Sequence, residues 1–187
     1  GVGIRCERRF VARGTAEAPI YLSGERWGRI VADGPDAEVI LEHVVITGGH
    51  APGDDRLNDG GGLLLRDGAS ATLRHVTIRD CTAAEHGGAI TVIGSEDRIS
   101  VLTAEACVLE ANTAENGGGA NVSWFSEATF DGCRFLGNEA GTGGGGGLVI
   151  IGHEARSTRV TATDCVFEAN TAAGEGGGAN VNRFSEA

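Results

Sequence analysis

Gly117-Gly118-Gly119-Ala120 is one copy of a glycine run followed by small or aliphatic residues. The pattern also appears as Gly60-Gly61-Gly62-Leu63, Gly87-Gly88-Ala89-Ile90, Gly145-Gly146-Gly147-Leu148 and Gly176-Gly177-Gly178-Ala179. It returns about every 30 residues, which marks a stacked repeat. A second block precedes each run. It reads Val44-Val45-Ile46, Val76-Thr77-Ile78, Cys107-Val108-Leu109, Cys133-Arg134-Phe135 and Cys165-Val166-Phe167. Apolar residues alternate over short runs, as in Val39/Leu41, Ala71/Leu73, Leu102/Ala104, Ala128/Phe130 and Val160/Ala162. They alternate again in Leu63/Leu65, Ile90/Val92, Ala120/Val122, Leu148/Ile150 and Ala179/Val181. Period two means short strands with one buried face, whereas a helix needs apolar residues three and four apart.

Three short strands in each unit make the rung of a solenoid. The expected fold is all-β: a right-handed, single-stranded parallel β-helix of about six rungs with three short sheets. With rungs about 4.8 Å apart, the rod is on the order of 30 Å long. Residues 1–59 read as less regular opening rungs and residues 60–187 as glycine-triplet repeats of the same single domain. Every second unit is the closer relative: Ala120-Asn121-Val122 through Phe125-Ser126-Glu127 returns as Ala179-Asn180-Val181 through Phe184-Ser185-Glu186. The pattern stops in mid-turn, so the expectation is an excerpt of a longer solenoid, with further rungs or a capping partner on the C-terminal edge.

Composition removes several classes. The chain has 32 glycines but only 3 prolines, without a three-residue period, so it is not collagen. Its formal net charge of -11 argues against nucleic acid, whose phosphates need a basic footprint. Acidic polysaccharides would need a bridging divalent cation. No apolar run reaches the length of about 18 residues needed to span a membrane, so no membrane insertion of this segment is expected.

One column of the repeat is polar. Asn112, Asn138 and Asn170 stand three residues beyond the Ile78-type core position, where earlier units have Gly49 and Cys81. Asparagine and glycine tolerate left-handed backbone at a sharp corner, and stacked asparagines pass amide hydrogen bonds along the axis. The reading is an asparagine ladder at one turn. Cys107, Cys133 and Cys165 share an inward column, with Cys81 at the corner and Cys6 near the start. Their spacing is not that of a zinc site. They read first as small apolar fillers, with a disulfide between neighbouring rungs as the alternative.

The remaining candidates are weaker. The loop from His50 to Asp59 offers Asp54, Asp55, Asn58 and Asp59 as oxygen ligands of the kind calcium takes, against a plain solvated turn. No cofactor other than that calcium is indicated. Trp124, Phe125 and Phe184 occupy matching turns two units apart and are glycan-contact candidates. The alternative is that they cover the flank of adjacent turns. His43 and His75 align in one outward column, too few for a metal site. Arg5, Arg8, Arg9 and Arg13 form a basic cluster suited to docking a preceding rung or an acidic partner.

The repeat resembles that of the chlamydial polymorphic outer-membrane proteins and related bacterial surface proteins. The likeness rests on Gly87-Gly88-Ala89-Ile90 and on Phe135 with Asn138 and Phe167 with Asn170. Leu109 and Cys81 depart from that pattern. The stretch from Gly14 to Ile20, then Trp27-Gly28-Arg29-Ile30, resembles the opening rungs of pectin-lyase-like β-helices. The resemblance implies a secreted or cell-surface bacterial protein. It carries little information about activity, because this fold hosts both enzymes and inert stalks. A polysaccharide lyase would need a carboxylate cluster with a nearby base on one face. The outward column Thr47, Arg79, Glu110, Leu136 and Glu168 does not supply it. The expected function is a non-catalytic stalk or adhesin-type passenger that meets a glycan or a host or cell-surface protein. The alternatives are a carbohydrate-active β-helix and a self-assembling fibre subunit.

Overall fold

The alternating runs fold into strands that climb a single solenoid. The computed structural model describes residues 2–24, 27–51, 58–155, 157–182 and 185–186. One sheet stacks Val2–Cys6, Trp27–Asp33, Leu63–Arg66, Ile90–Ile93, Ala120–Ser123, Leu148–Ile151 and Ala179–Val181. The second stacks Arg9–Arg13, Glu38–Glu42, Ser70–Arg74, Ser100–Glu105, Ser126–Asp131, Thr158–Thr163 and Ser185–Glu186. The third stacks Ile20–Leu22, Val44–Thr47, Thr77–Arg79, Val108–Glu110, Arg134–Leu136 and Val166–Glu168. Strands within each sheet pair in parallel with the next turn, so five complete turns are flanked by partial ones.

The three sheets expected from the sequence are present, and a fourth adds to them. It consists of the two-residue strands His50–Ala51, Thr82–Ala83, Thr113–Ala114, Glu139–Ala140 and Thr171–Ala172. Two residues are too few to display alternation, which is why the sequence pattern passes over this sheet. One column of it, Ala51, Ala83, Ala114 and Ala140, is buried, and the first three form a small apolar cluster separate from the main core.

Register follows the period-two reading. Val39, Ala71, Leu102, Ala128 and Val160 stack in one column. Ile46, Ile78, Leu109, Phe135 and Phe167 stack in another. Ile30, Leu41, Ile46, Leu73, Ile78 and Phe135 are all 0% exposed, so the core is one continuous apolar column along the axis. Phe135 stacks flat on Phe167 (centroids 4.5 Å apart) and meets Phe130 edge-on at 5.2 Å.

The glycine runs have two separate jobs. Their first residue takes a left-handed backbone, with φ of +63° at Gly117 and Gly87, a region that side chains other than glycine seldom enter. The second residue lies where the fourth sheet crosses: a Cβ at Gly118 would press into the backbone of Glu139.

The asparagine corner differs from expectation in one respect. The asparagines are not the left-handed residues. That conformation belongs to the residue before each of them: Gly48, Asp80, Ala111, Gly137 and Ala169. The bend is made one step earlier, which frees the next side chain to point inward along the axis.

Candidate functional site

At that corner the amides form a continuous chain. Asn138 Oδ1 accepts from the backbone N–H of Asn112 (3.0 Å) and from Asn112 Nδ2 (2.9 Å). Asn138 Nδ2 donates to Leu109 O (2.9 Å) and to Asn170 Oδ1 (2.9 Å). All four hydrogen-bonding positions of a buried amide are thus used. The chain continues toward the N-terminus in altered form. Asn112 Oδ1 accepts from Cys81 N–H at 3.0 Å, and Cys81 Sγ accepts from Gly49 N–H at 3.3 Å. Cys81 therefore takes an asparagine's place as acceptor, and burial pushes its thiol up to about 11.

Cys107 and Cys133 are buried in their shared inward column, and Cys165 is partly so. None of the five cysteines is in a disulfide. The thiols donate to nearby carbonyls, as Cys107 does to Glu105 O at 3.3 Å. A hydrogen bond to Cys133, together with burial, holds the Cys107 thiol above its ordinary pKa. The same hydrogen bond lowers the pKa of its partner, the Cys133 thiol.

Of the four residues read as a calcium loop, Asp54 and Asp55 lie outside the described residues. Asn58 and Asp59 are held in a different company. Asp59 immediately precedes the left-handed Gly60, and His86 immediately precedes the left-handed Gly87 one turn later. His86 N–H and His86 Nδ1 both meet Asp59 Oδ1, at 3.1 and 2.9 Å. Asn58 Nδ2 donates to Glu85 Oε1 at 3.0 Å, and Glu85 Oε2 lies 4.0 Å from His86 Nδ1. The backbone fixes both levels: Gly60 N–H donates to His86 O (2.8 Å) and Glu85 N–H to Asn58 O (3.2 Å). Thr91 Oγ1 also donates to His86 O at 2.8 Å. The hydrogen bond to Asp59 raises the pKa of His86 against the opposing effect of burial. Glu85 and His86 were not singled out from the sequence. The signal that points to them is their alignment with Asn58 and Asp59, directly before a glycine run.

The aromatic turn treats its two rings differently. Trp124 is 49% exposed, but Phe125 is only 7% exposed and packs against the His153 ring at 4.9 Å. The two readings divide between the neighbours: the tight two-residue turn points Trp124 outward and folds Phe125 under, against the adjacent turn. Both residues have left-handed backbone, with φ of 40° and 54°. The same turn two levels earlier is made by Asp67 and Gly68, residues suited to that conformation. Phe184 lies outside the described residues.

The remaining candidates resolve into surface ladders. His43 and His75 stack face to face at 4.7 Å. Arg5 pairs with Glu7 and Asp33, Arg9 with Glu38 and Arg13 with Glu42, so three members of the basic cluster meet acids within the chain. Arg74–Glu105 and Arg159–Glu127 continue such pairing along the outer face of the second sheet. Thr47, Arg79, Glu110, Leu136 and Glu168 do form one column, which strings unlike groups along the axis. Among the described residues, no helix is long and apolar enough to cross a membrane.

A family model described as a right-handed β-helix region matches residues 28–185. No curated protein and no solved structure matches the chain.

Proposed function

The chain belongs to the right-handed β-helix family, and from that premise we propose that it is a rigid, non-catalytic module of a secreted or cell-surface protein, working as a stalk or adhesin-type passenger. The observation that carries this reading is the unbroken register of the core over five complete turns, with inward columns buried through the first four and partly open at the C-terminal one. A solenoid of this kind presents one long side to its surroundings while its interior resists bending. Paired charges along the outer second sheet leave that face polar and solvated. The proposed partners are neighbouring rungs or a cap at the C-terminal edge, and a glycan or cell-surface protein along the side.

One observation favours carbohydrate as the partner. Trp124 is held half exposed on a left-handed backbone that an asparagine or glycine would adopt more readily. Strain kept at an exposed aromatic residue is a mark of contact function.

The test is incubation of the native protein with soluble polysaccharides, followed by assay for new reducing ends and unsaturated sugars, together with fractionation of the producing cells. A stalk releases no sugar and is recovered from the envelope or the medium. Sugar release that is lost on Asp59→Asn or Glu85→Gln would replace this reading with the carbohydrate-active one.

A further inference from the structure

We propose that Asp59, Glu85 and His86 bind a first-row divalent cation of the zinc class, which clips two successive glycine turns together. Asp59 lies on one turn, and Glu85 and His86 on the next. The donor atoms lie within 4.8 Å of one another. Zinc holds nitrogen and oxygen ligands at about 2.0–2.2 Å, which places neighbouring donors about 3–3.5 Å apart. The separations of 2.9 Å (Asp59 Oδ1 to His86 Nδ1) and 4.0 Å (His86 Nδ1 to Glu85 Oε2) bracket that range. The hydrogen-bonded backbone of both turns holds the three side chains side by side.

The donor set selects the ion. One imidazole with two carboxylates suits zinc and its neighbours, whereas calcium and magnesium take oxygen alone. The side chains of Asp59, His86 and Glu85 are 20%, 33% and 57% exposed, so solvent reaches the site and the ion keeps open positions for water or an outside ligand.

Asn58 gives a second, independent sign. Its Nδ2 is tied to Glu85, yet its Oδ1 is fully enclosed and has no hydrogen-bond partner among the described residues. An enclosed oxygen left unpaired is costly and calls for a bound water or ion beside it. The net charge of -11 adds a favourable field for cations. On binding, the ion takes the place of the proton between Asp59 Oδ1 and His86 Nδ1. Protonated His86 releases that proton, so affinity rises with pH.

The experiment is titration of the whole chain with zinc chloride and, separately, cobalt chloride. It is followed by calorimetry, absorption spectroscopy and thermal melting. The expected result is one ion per chain, a raised melting temperature and a cobalt spectrum of nitrogen and oxygen ligation. His86→Gln and Glu85→Gln should each weaken zinc at least about tenfold, and calcium at equal concentration should not compete. Three results would overturn the proposal: no binding, binding that His86→Gln leaves unchanged, or a thiolate-to-cobalt charge-transfer band that puts the ion on the cysteines. The wild-type cobalt spectrum decides the ligand type even if a variant folds poorly.

Discussion

Two corners of the same solenoid behave in opposite ways. The corner that leads from the third sheet to the fourth is nearly identical on every turn: a left-handed residue, then an inward acceptor that receives the N–H from the turn before. The corner between the first and second sheets is rebuilt each time. It is Asp67-Gly68 on one turn, Trp124-Phe125 on another, and a longer excursion through Ser95 to Arg98 between them. The first corner must stay constant because each buried amide is satisfied only by the turns beside it. The second makes axial contacts that differ from turn to turn, such as Gly68 N–H to Ser100 Oγ (3.1 Å) and the Phe125 ring on His153, and so is freer to vary. Fold is written where turns depend on one another in the same way each time, and recognition is expected where they do not.

The glycine crossing should resist change most strongly. Gly118→Val drives a branched side chain into the backbone of Glu139 and is expected to cost about 3 kcal/mol or more. Glu115→Val lies on the exposed side of the same turn and should leave the melting midpoint nearly unchanged, despite losing its hydrogen bonds to Thr142. Equal shifts in thermal melting would refute this assignment of the glycine turn.

The asparagine corner comes next. Asn138→Ala strands the N–H and amide of Asn112 and the carbonyl of Leu109, at an expected cost of about 2–3 kcal/mol in denaturant melts. A loss under half a kcal/mol would show that the ladder is ornamental.

The variable corner should respond with the opposite sign. Trp124→Asn relieves a left-handed tryptophan and removes an exposed ring. Stability is expected to rise by about 1 kcal/mol, while retention on immobilised glycans falls. A stabilised variant that still binds glycans would separate Trp124 from recognition.

The smallest effects are those of pH. His86 has a raised folded pKa because of Asp59 and, more weakly, Glu85. Its stabilisation is full below the unfolded value of about 6.5 and is lost as pH rises through the folded value. Asp33 behaves in reverse. The hydrogen bond from Arg66, with added attraction from Arg66 and Arg5, lowers its pKa. Its contribution is full above the usual carboxylate range and is lost only as pH falls through the depressed value. Melting of His86→Gln and of Asp33→Asn across pH should show these two slopes with opposite sign.

Much of this was legible in the sequence because a solenoid writes its register in plain alternation. Val39, Ala71, Leu102, Ala128 and Val160 could be aligned by eye, and they are the column observed. The fourth sheet was not legible, since Thr82–Ala83 and its partners are too short to alternate. The left-handed residue was placed one position late, because Gly137 and Ala111 carry no shared chemistry while Asn112 and Asn138 do. The joining of Asp59 to His86 was hidden by distance along the chain. Only the repeat alignment brings the residues before Gly60 and Gly87 together. Which of Trp124 and Phe125 covers the neighbouring turn was not legible, because a two-residue turn sends adjacent side chains to opposite sides.

The claim underneath all of this is that the turns form one body, so that load or contact on the side is carried by the whole rod. Amide hydrogen exchange tests it most directly at Cys81, Asn112 and Asn138, whose N–H groups each donate to the asparagine of the following turn. The account predicts that these three amides exchange in the slowest class, with one common free energy of opening. Exchange at three separate, stepwise free energies would mean that the turns open independently, and would contradict a rigid shaft.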